Sequence, residues 1–222
     1  MRPRQAKRDL YSRLAKKRGY KSRAAFKLIQ LHKKYGIFSK GDRVLDLGCA
    51  PGGWLQVASK YVGRSGLVVG VDKRPVKRMP GNVRFIKKDI YDEGIIDAIR
   101  EVVQADFDVV LSDLSPDVTG IWELDSIKQI DLSERALKIA KQVLKEDGRM
   151  VVKVFQGEFT NEFLKALRKE FDDVRLTKPP ASRPESSELY AVCFGLKKGS
   201  SRPRGAPRKG RRSLRRPGRD WT

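Results

Sequence analysis

The stretch Val44–Trp54, VLDLGCAPGGW, limits the fold more than any other part of the chain. A short apolar run (Val44, Leu45, Leu47) carries one acid, Asp46, and passes straight into a turn built from Gly48, Pro51, Gly52 and Gly53. A helical pattern, Trp54-Leu55-Gln56-Val57-Ala58, follows at once. Strand, glycine turn and helix in that order form the unit by which a doubly wound α/β domain brings its backbone against a nucleoside ligand. Gly48, Gly52 and Gly53 offer positive φ and close backbone approach, and Pro51 fixes φ within the turn.

The rest of the chain agrees with that unit. Strand patterns fall at 43–47, 67–71, 83–87, 107–112, 149–154, 172–177 and 189–195, and helical patterns at 53–61, 92–103, 125–146 and 159–171. Such alternation predicts a mostly parallel sheet with helices on both faces. The last two strands have no helix between them and are expected to pair antiparallel at one edge. A further helix is expected from Arg23 to about Lys34, capped by Ser22 and ended by Gly36. Asp125 is the expected cap of the long helix, with Gly148 just past its end.

The glycine spacing is G-x-x-x-G-G, not the G-x-G-x-x-G of pyrophosphate binders. With an acid two residues before the first glycine, it favours a nucleoside cofactor without phosphates, such as S-adenosylmethionine, over a dinucleotide. A tight β–α turn with no ligand is the plain alternative. Ligands of such sheets sit at the carboxyl ends of the strands. Those ends carry Asp46, then Asp72 in GVD, Asp89 in KKD, Asp113 in LSDLSPD and Lys153 in VVKVFQGE. Asp72 stands where an acid commonly accepts ribose hydroxyls. Any one of these acids suits a turn or a helix cap, but the set favours a ligand site. Lys153 interrupts an apolar run, and a lysine there is costly unless paired or functional. Asp113, on the adjacent strand end, is its natural partner, whether as part of a site or as a structural ion pair.

Charge points to the class of substrate. The 222 residues carry a net charge of +22. Residues 1–40 hold 14 Lys or Arg against one acid, and residues 197–222 hold 11 against one. The middle is close to neutral, with 24 bases and 25 acids. Basic ends on a neutral body fit a polyanion, most simply nucleic acid, although runs of like charge also serve as plain solubilising segments. The organisation expected is a basic N-terminal arm over 1–21, a catalytic domain over 22–196 and a basic, disordered tail over 197–222. No run of 18 apolar residues is present to span a bilayer. The two cysteines, Cys49 and Cys193, lack metal-ligand spacing and sit in apolar strands. They are expected as buried thiols of an intracellular, cytoplasmic protein, with no metal. The single histidine, His32, is expected as a solvated residue at a helix end, leaving histidine-based nucleophilic catalysis unsupported.

A methyl donor on a basic protein suggests methyl transfer to RNA. A ribose hydroxyl is a poor nucleophile at neutral pH and needs a base, or a cation that stabilises the developing alkoxide. Lysine suits either role, but with a free pKa of about 10.4 it needs burial or a second cation before it accepts a proton. Lys27 is the candidate second cation.

The motifs SRAAFKL, DLGCAPGGW, GVD, LSDLSPDVTG, VVKVFQGE and SRPESSELYAV, in this order over residues 8–196, resemble the FtsJ-type ribose 2′-O-methyltransferases, in particular those acting on a uridine of large-subunit (23S) ribosomal RNA. The resemblance implies a Rossmann-like S-adenosylmethionine-dependent methyltransferase fold with a seven-stranded, mostly parallel sheet. It implies a Lys-Asp-Lys-Glu tetrad on Lys27, Asp113, Lys153 and Glu188, with Lys153 activating the 2′-hydroxyl. It places cofactor contacts on Gly52, Trp54, Asp72, Asp89 and Asp113, beside Gly48 and Gly53 of the same turn. It also implies action on ribosomal RNA of the large subunit, and a monomer acting within the ribosomal particle is expected. Methylation of a transfer RNA anticodon-loop ribose, and a non-catalytic RNA-binding assembly factor, are the rival readings. Some related enzymes carry a small RNA-binding barrel, which the short Arg-rich tail cannot build.

Overall fold

The computed structural model describes residues 3–198. The basic stretch from 199 onward, most of the expected tail, lies outside them. Seven strands form one sheet: β1 (Arg43–Leu47), β2 (Leu67–Val71), β3 (Val83–Ile86), β4 (Phe107–Ser112), β5 (Leu144–Phe155), β6 (Phe171–Thr177) and β7 (Glu188–Leu196). Their order is β3-β2-β1-β4-β5-β7-β6. β1 to β5 pair in parallel, while β7 runs antiparallel to both β5 and β6. The order reverses between β1 and β4, which puts the crevice of an open α/β sheet at their carboxyl ends.

The helices are α1 (Pro3–Lys17), α2 (Ala24–Tyr35), α3 (Gly53–Val62), α4 (Ile95–Val102), α5 (Trp122–Val143) and α6 (Thr160–Glu170). Alternation along each strand feeds two cores. On β5, Met150, Val152 and Val154 join the side chains of α4, α5 and α6. Val151 joins those of α2 and α3, together with Tyr190 and Val192 of β7. β4 is buried along its whole length, as a central strand covered on both faces must be. β6 forms an edge and shows charged, exposed residues there.

The structure corrects several local expectations. α2 starts after Arg23, which makes no side-chain cap, so Ser22 is not its cap; Gly36 does end it, in the left-handed conformation. α5 begins at Trp122, before Asp125. The Asp125 carboxylate instead accepts bonds from the N–H and hydroxyl of Thr119 and the N–H of Gly120, fixing the loop that leads into the helix. α5 stops at Val143 and Gly148 lies within β5, because Leu144 already pairs with Phe107 ahead of a register shift. His32 is only partly solvated. It is half-buried against Phe38 and Tyr61, and its Nδ1 accepts the Phe38 N–H at 3.1 Å. Burial first, and the charge of Arg149 second, lower its pKa. The segment expected as an arm is largely the helix α1, whose Ala15 packs with Phe26 of α2 and Ala181. Both cysteines are buried and free, with thiol pKa values raised first by burial. Among the described residues, no helix is long and apolar enough to cross a membrane.

Candidate active site

The turn after β1 is shaped by what surrounds it. Gly48 (φ 77°) and Gly52 (φ 108°) adopt the left-handed region that favours glycine. Gly53 does not, contrary to expectation; it opens α3 with ordinary φ. Its need is steric, since a Cβ there would stand 2.3 Å from Ser22 Oγ. A Cβ on Gly48 would meet Leu114 at 2.6 Å. These glycines therefore admit the segment before α2 and the loop after β4, two stretches that carry the rest of the site. The Ala50–Pro51 peptide bond is cis. Trp54 is buried behind the turn: its indole N–H donates to the Ala24 carbonyl at 2.9 Å and its ring packs on Tyr190.

A cavity of about 550 Å³ opens at the tips of β1, β2 and β4. Gly48, Asp72, Asp89 and Asp113 line it, whereas Gly52, Gly53 and Trp54 do not. Asp72 is fixed by two backbone donors, the N–H groups of Ala50 and Arg74, each at 2.8 Å. Asp89 accepts the Tyr91 N–H at 3.1 Å. Tyr91, Ser115 and Asp131 also line the cavity, and the Tyr91 hydroxyl donates to the Asp131 carboxylate. Nothing in the local sequence marks Asp131, since a polar residue on a long helix is the ordinary case.

Asp46 lies beside this floor. It is fully buried, and neither carboxylate oxygen has a hydrogen-bond partner. Burial, then the nearby Asp113 and Asp72, raise its pKa well above the ordinary carboxylate range. Asp46 itself does not line the cavity; its neighbours Asp72 and Asp113 do, together with the cations Lys73, Arg74, Lys88 and Lys128.

The tetrad residues meet at the next strand ends. Lys153 Nζ lies 3.2 Å from Asp113 Oδ1 and donates to the Asp113 carbonyl at 2.9 Å. Lys27 Nζ donates to Glu188 Oε2 at 2.7 Å and to the Tyr190 hydroxyl at 3.2 Å. Tyr190 in turn donates to Asp113 Oδ1 at 2.8 Å, and Ser182 Oγ donates to Glu188 Oε1 at 2.8 Å. The result is one continuous network, Glu188–Lys27–Tyr190–Asp113–Lys153. Burial pushes the Asp113 carboxyl up, but Lys153, Lys27 and the bonds from Tyr190 and Lys153 outweigh it, so its pKa is lowered.

Tyr190 was not among the residues the sequence singled out. It is fully buried and sits opposite Lys153 in the β5–β7 register. Its alternation with Glu188, two residues back on the same strand, was the available signal. Lys153 is braced from the other side, where Gln129 Nε2 and Ser133 Oγ of α5 donate to its carbonyl. Asp113 alone belongs to both regions, lining the cavity and holding Lys153.

An open α/β sheet with a ligand cavity at its switch point and a buried Lys-Asp-Lys-Glu cluster beside it defines a Rossmann-like enzyme that handles a nucleoside-type ligand. The FtsJ-like methyltransferase model matches residues 20–196, and the chain belongs to that family. The fold is of a class that uses S-adenosylmethionine. The protein named ribosomal RNA large subunit methyltransferase E in Methanocaldococcus jannaschii is 48% identical over 192 residues, spanning 85% of this chain and 78% of its own. Its counterpart of the same name in Nitrosopumilus maritimus is 45% identical, spanning 86% and 96%. The crystal structure described as a ribosomal RNA methyltransferase from Plasmodium falciparum is 31% identical, covers 80% of this chain and 98% of its own, and superposes with a TM-score of 0.72. The fibrillarin/Nop5p complex, at 18% identity, 78% and 83% coverage and a TM-score of 0.57, shares the fold.

Proposed function

We propose that this protein transfers the methyl group of S-adenosylmethionine to a ribose 2′-hydroxyl, on a uridine of 23S (large-subunit) ribosomal RNA in the ribosomal particle. The observation that carries the reading is the buried Lys153 held at Asp113, on the boundary between the cavity and the tetrad network. The relatives' names support ribosomal RNA as the substrate class, and the basic ends of the chain suit a polyanion.

When bound, S-adenosylmethionine supplies an electrophilic methyl group on a sulfonium centre, and it carries an ammonium as well. Asp72 would accept hydrogen bonds from its ribose hydroxyls, Asp89 would contribute on the neighbouring wall, and Asp113 would answer its positive charge. Gly48, Gly52 and Gly53 shape the turn, and Trp54 holds that turn against α2. On the acceptor side, Lys153 would bind the 2′-oxygen and stabilise the negative charge that develops on it while the oxygen takes the methyl group, the neutral thioether departs and the 2′-proton is released to solvent. Asp113 fixes the direction of Lys153, while Lys27, Glu188 and Tyr190 hold Asp113. Much of the rate then comes from positioning.

The catalytic unit is residues 22–196, with the flanking basic segments adding affinity for RNA. The test is a map of ribose methylation across total RNA, with and without the protein, followed by assays on naked ribosomal RNA, assembled large subunits and transfer RNA. A single site in large-subunit RNA is expected, and methylation of transfer RNA alone would overturn the substrate. Deleting 199–222 should weaken RNA binding and reduce its salt dependence, whose slope in log K is about −0.7 to −0.9 per phosphate neutralised. An unchanged slope would remove the tail from the interface.

A further inference from the structure

The loop after β4 and the first turns of α5 turn apolar side chains outward beside the tetrad. Val118 is 74% exposed, Ile121 54% and Trp122 44%, and Leu124 and Ile127 are also exposed. Exposed apolar residues gathered in so short a stretch mark an interaction surface. Trp122 is the fixed point in it. Its ring lies nearly parallel to that of Phe155, at 20° with centroids 6.0 Å apart. Phe155 follows Lys153 by two residues on β5, so their side chains leave the strand on the same side, with Cα atoms about 6.7 Å apart.

We propose that Trp122, braced by Phe155, is a stacking platform for an unpaired base of the RNA strand whose ribose is presented to Lys153. The proposal rests on the ribose-methylation reading above and extends it to the base. Three observations favour a nucleobase as the occupant. The platform is continuous with the acceptor side of the site through β5. The basic ends of the chain, rather than the patch itself, suit a polyanionic strand. A rigid indole with one face on Phe155 and the residue still nearly half exposed matches the way proteins hold single-stranded bases, between an aromatic plane and apolar neighbours. A ribose inside a regular helix is recognised by its backbone and groove, whereas a splayed nucleotide needs a surface for its base.

The test measures binding of the full chain to a dodecamer of uridylate and to an abasic ribose-phosphate strand of equal length. Wild-type protein, Trp122→Ala and Trp122→Phe are compared, with circular dichroism to verify folding. Trp122→Ala should bind the uridylate strand about tenfold more weakly, bind the abasic strand as wild type does, and keep the wild-type salt slope. Trp122→Phe should retain most of the affinity. Equal losses on both strands, or none on either, would overturn the platform. So would a wild-type dimer in sedimentation that Trp122→Ala dissociates, since a second copy would then own the surface. None of these readouts needs methyl transfer. A protein that discriminates the two strands through Trp122 yet methylates no ribose keeps the platform and loses the ribose reading.

Discussion

The two adjoining regions of the site, the turn between β1 and α3 and the network between α2, β4, β5 and β7, are built in opposite ways. The first comes from one contiguous stretch, and its central acid, Asp46, is left without partners in a buried position. The second is drawn from four distant stretches, with Lys27 and Glu188 161 residues apart, and each of its charged groups is paired. An unsatisfied carboxyl is costly, and burial answers that cost by raising the Asp46 pKa, whereas the network is satisfied by its own pairs. On the function proposed above, the difference separates holding the donor from preparing the acceptor, and Asp113 is where the two meet.

That division is open to attack, most strongly at Lys153. Lys153→Ala should lower kcat by about 10²–10⁴-fold while calorimetry finds S-adenosylmethionine binding unchanged. Methyl transfer near the wild-type rate would take Lys153 out of the mechanism, and a matching loss of cofactor binding would erase the distinction between the regions. The reciprocal case is Asp72→Ala. It should weaken S-adenosylmethionine binding about 10- to 150-fold, the worth of hydrogen bonds to a charged group, and leave kcat at saturation far less affected. A change confined to kcat would place Asp72 with the network instead.

Tyr190→Phe removes one hydroxyl and keeps the ring. Because that hydroxyl joins Lys27 to Asp113, the change should cost about 1–3 kcal/mol of stability in urea unfolding and lower kcat, with cofactor binding retained. Unaltered unfolding would mean that the network does not depend on its bridge.

The smallest effect is expected at Asp46 and appears as a pH dependence. Its folded pKa is raised, so the folded chain holds the proton more tightly than the unfolded one, whose value is about 3.9. The stability this contributes is full below about pH 4 and is lost as pH rises through the folded value. Asp46→Asn removes the titration, so its stability relative to wild type should climb as pH rises from about 4 toward neutrality. Urea midpoints that keep a constant offset over that range would show that Asp46 does not titrate on unfolding.

The turn was legible because strand, acid, glycines and helix are neighbours, and local backbone rules act on neighbours. The strands were legible for the same reason, as with the fully apolar Val109–Leu111 run of β4. The Lys153–Asp113 pair was also within reach, since a lysine inside a buried strand demands a partner and adjacent strand ends supply one. His32 was misjudged because its sequence neighbours are lysines, while its spatial neighbours are Phe38 and Tyr61. Trp54 and Gly53 are expected as ligand contacts, and in the structure Trp54 touches α2 and Tyr190 while Gly53 faces Ser22, contacts that no local pattern shows.

By itself, then, the sequence determined the α/β order, the position of the glycine turn and the acids at the strand tips, all consequences of local pattern. Membership of the tetrad was implied by the resemblance of its motifs. Only the tertiary structure decided that these residues touch, since placing β7 between β5 and β6 sets Tyr190 opposite Lys153. Register across a sheet depends on how whole strands bury their faces together. No local stretch contains that information, and it is there that Tyr190 became the link between the two lysines.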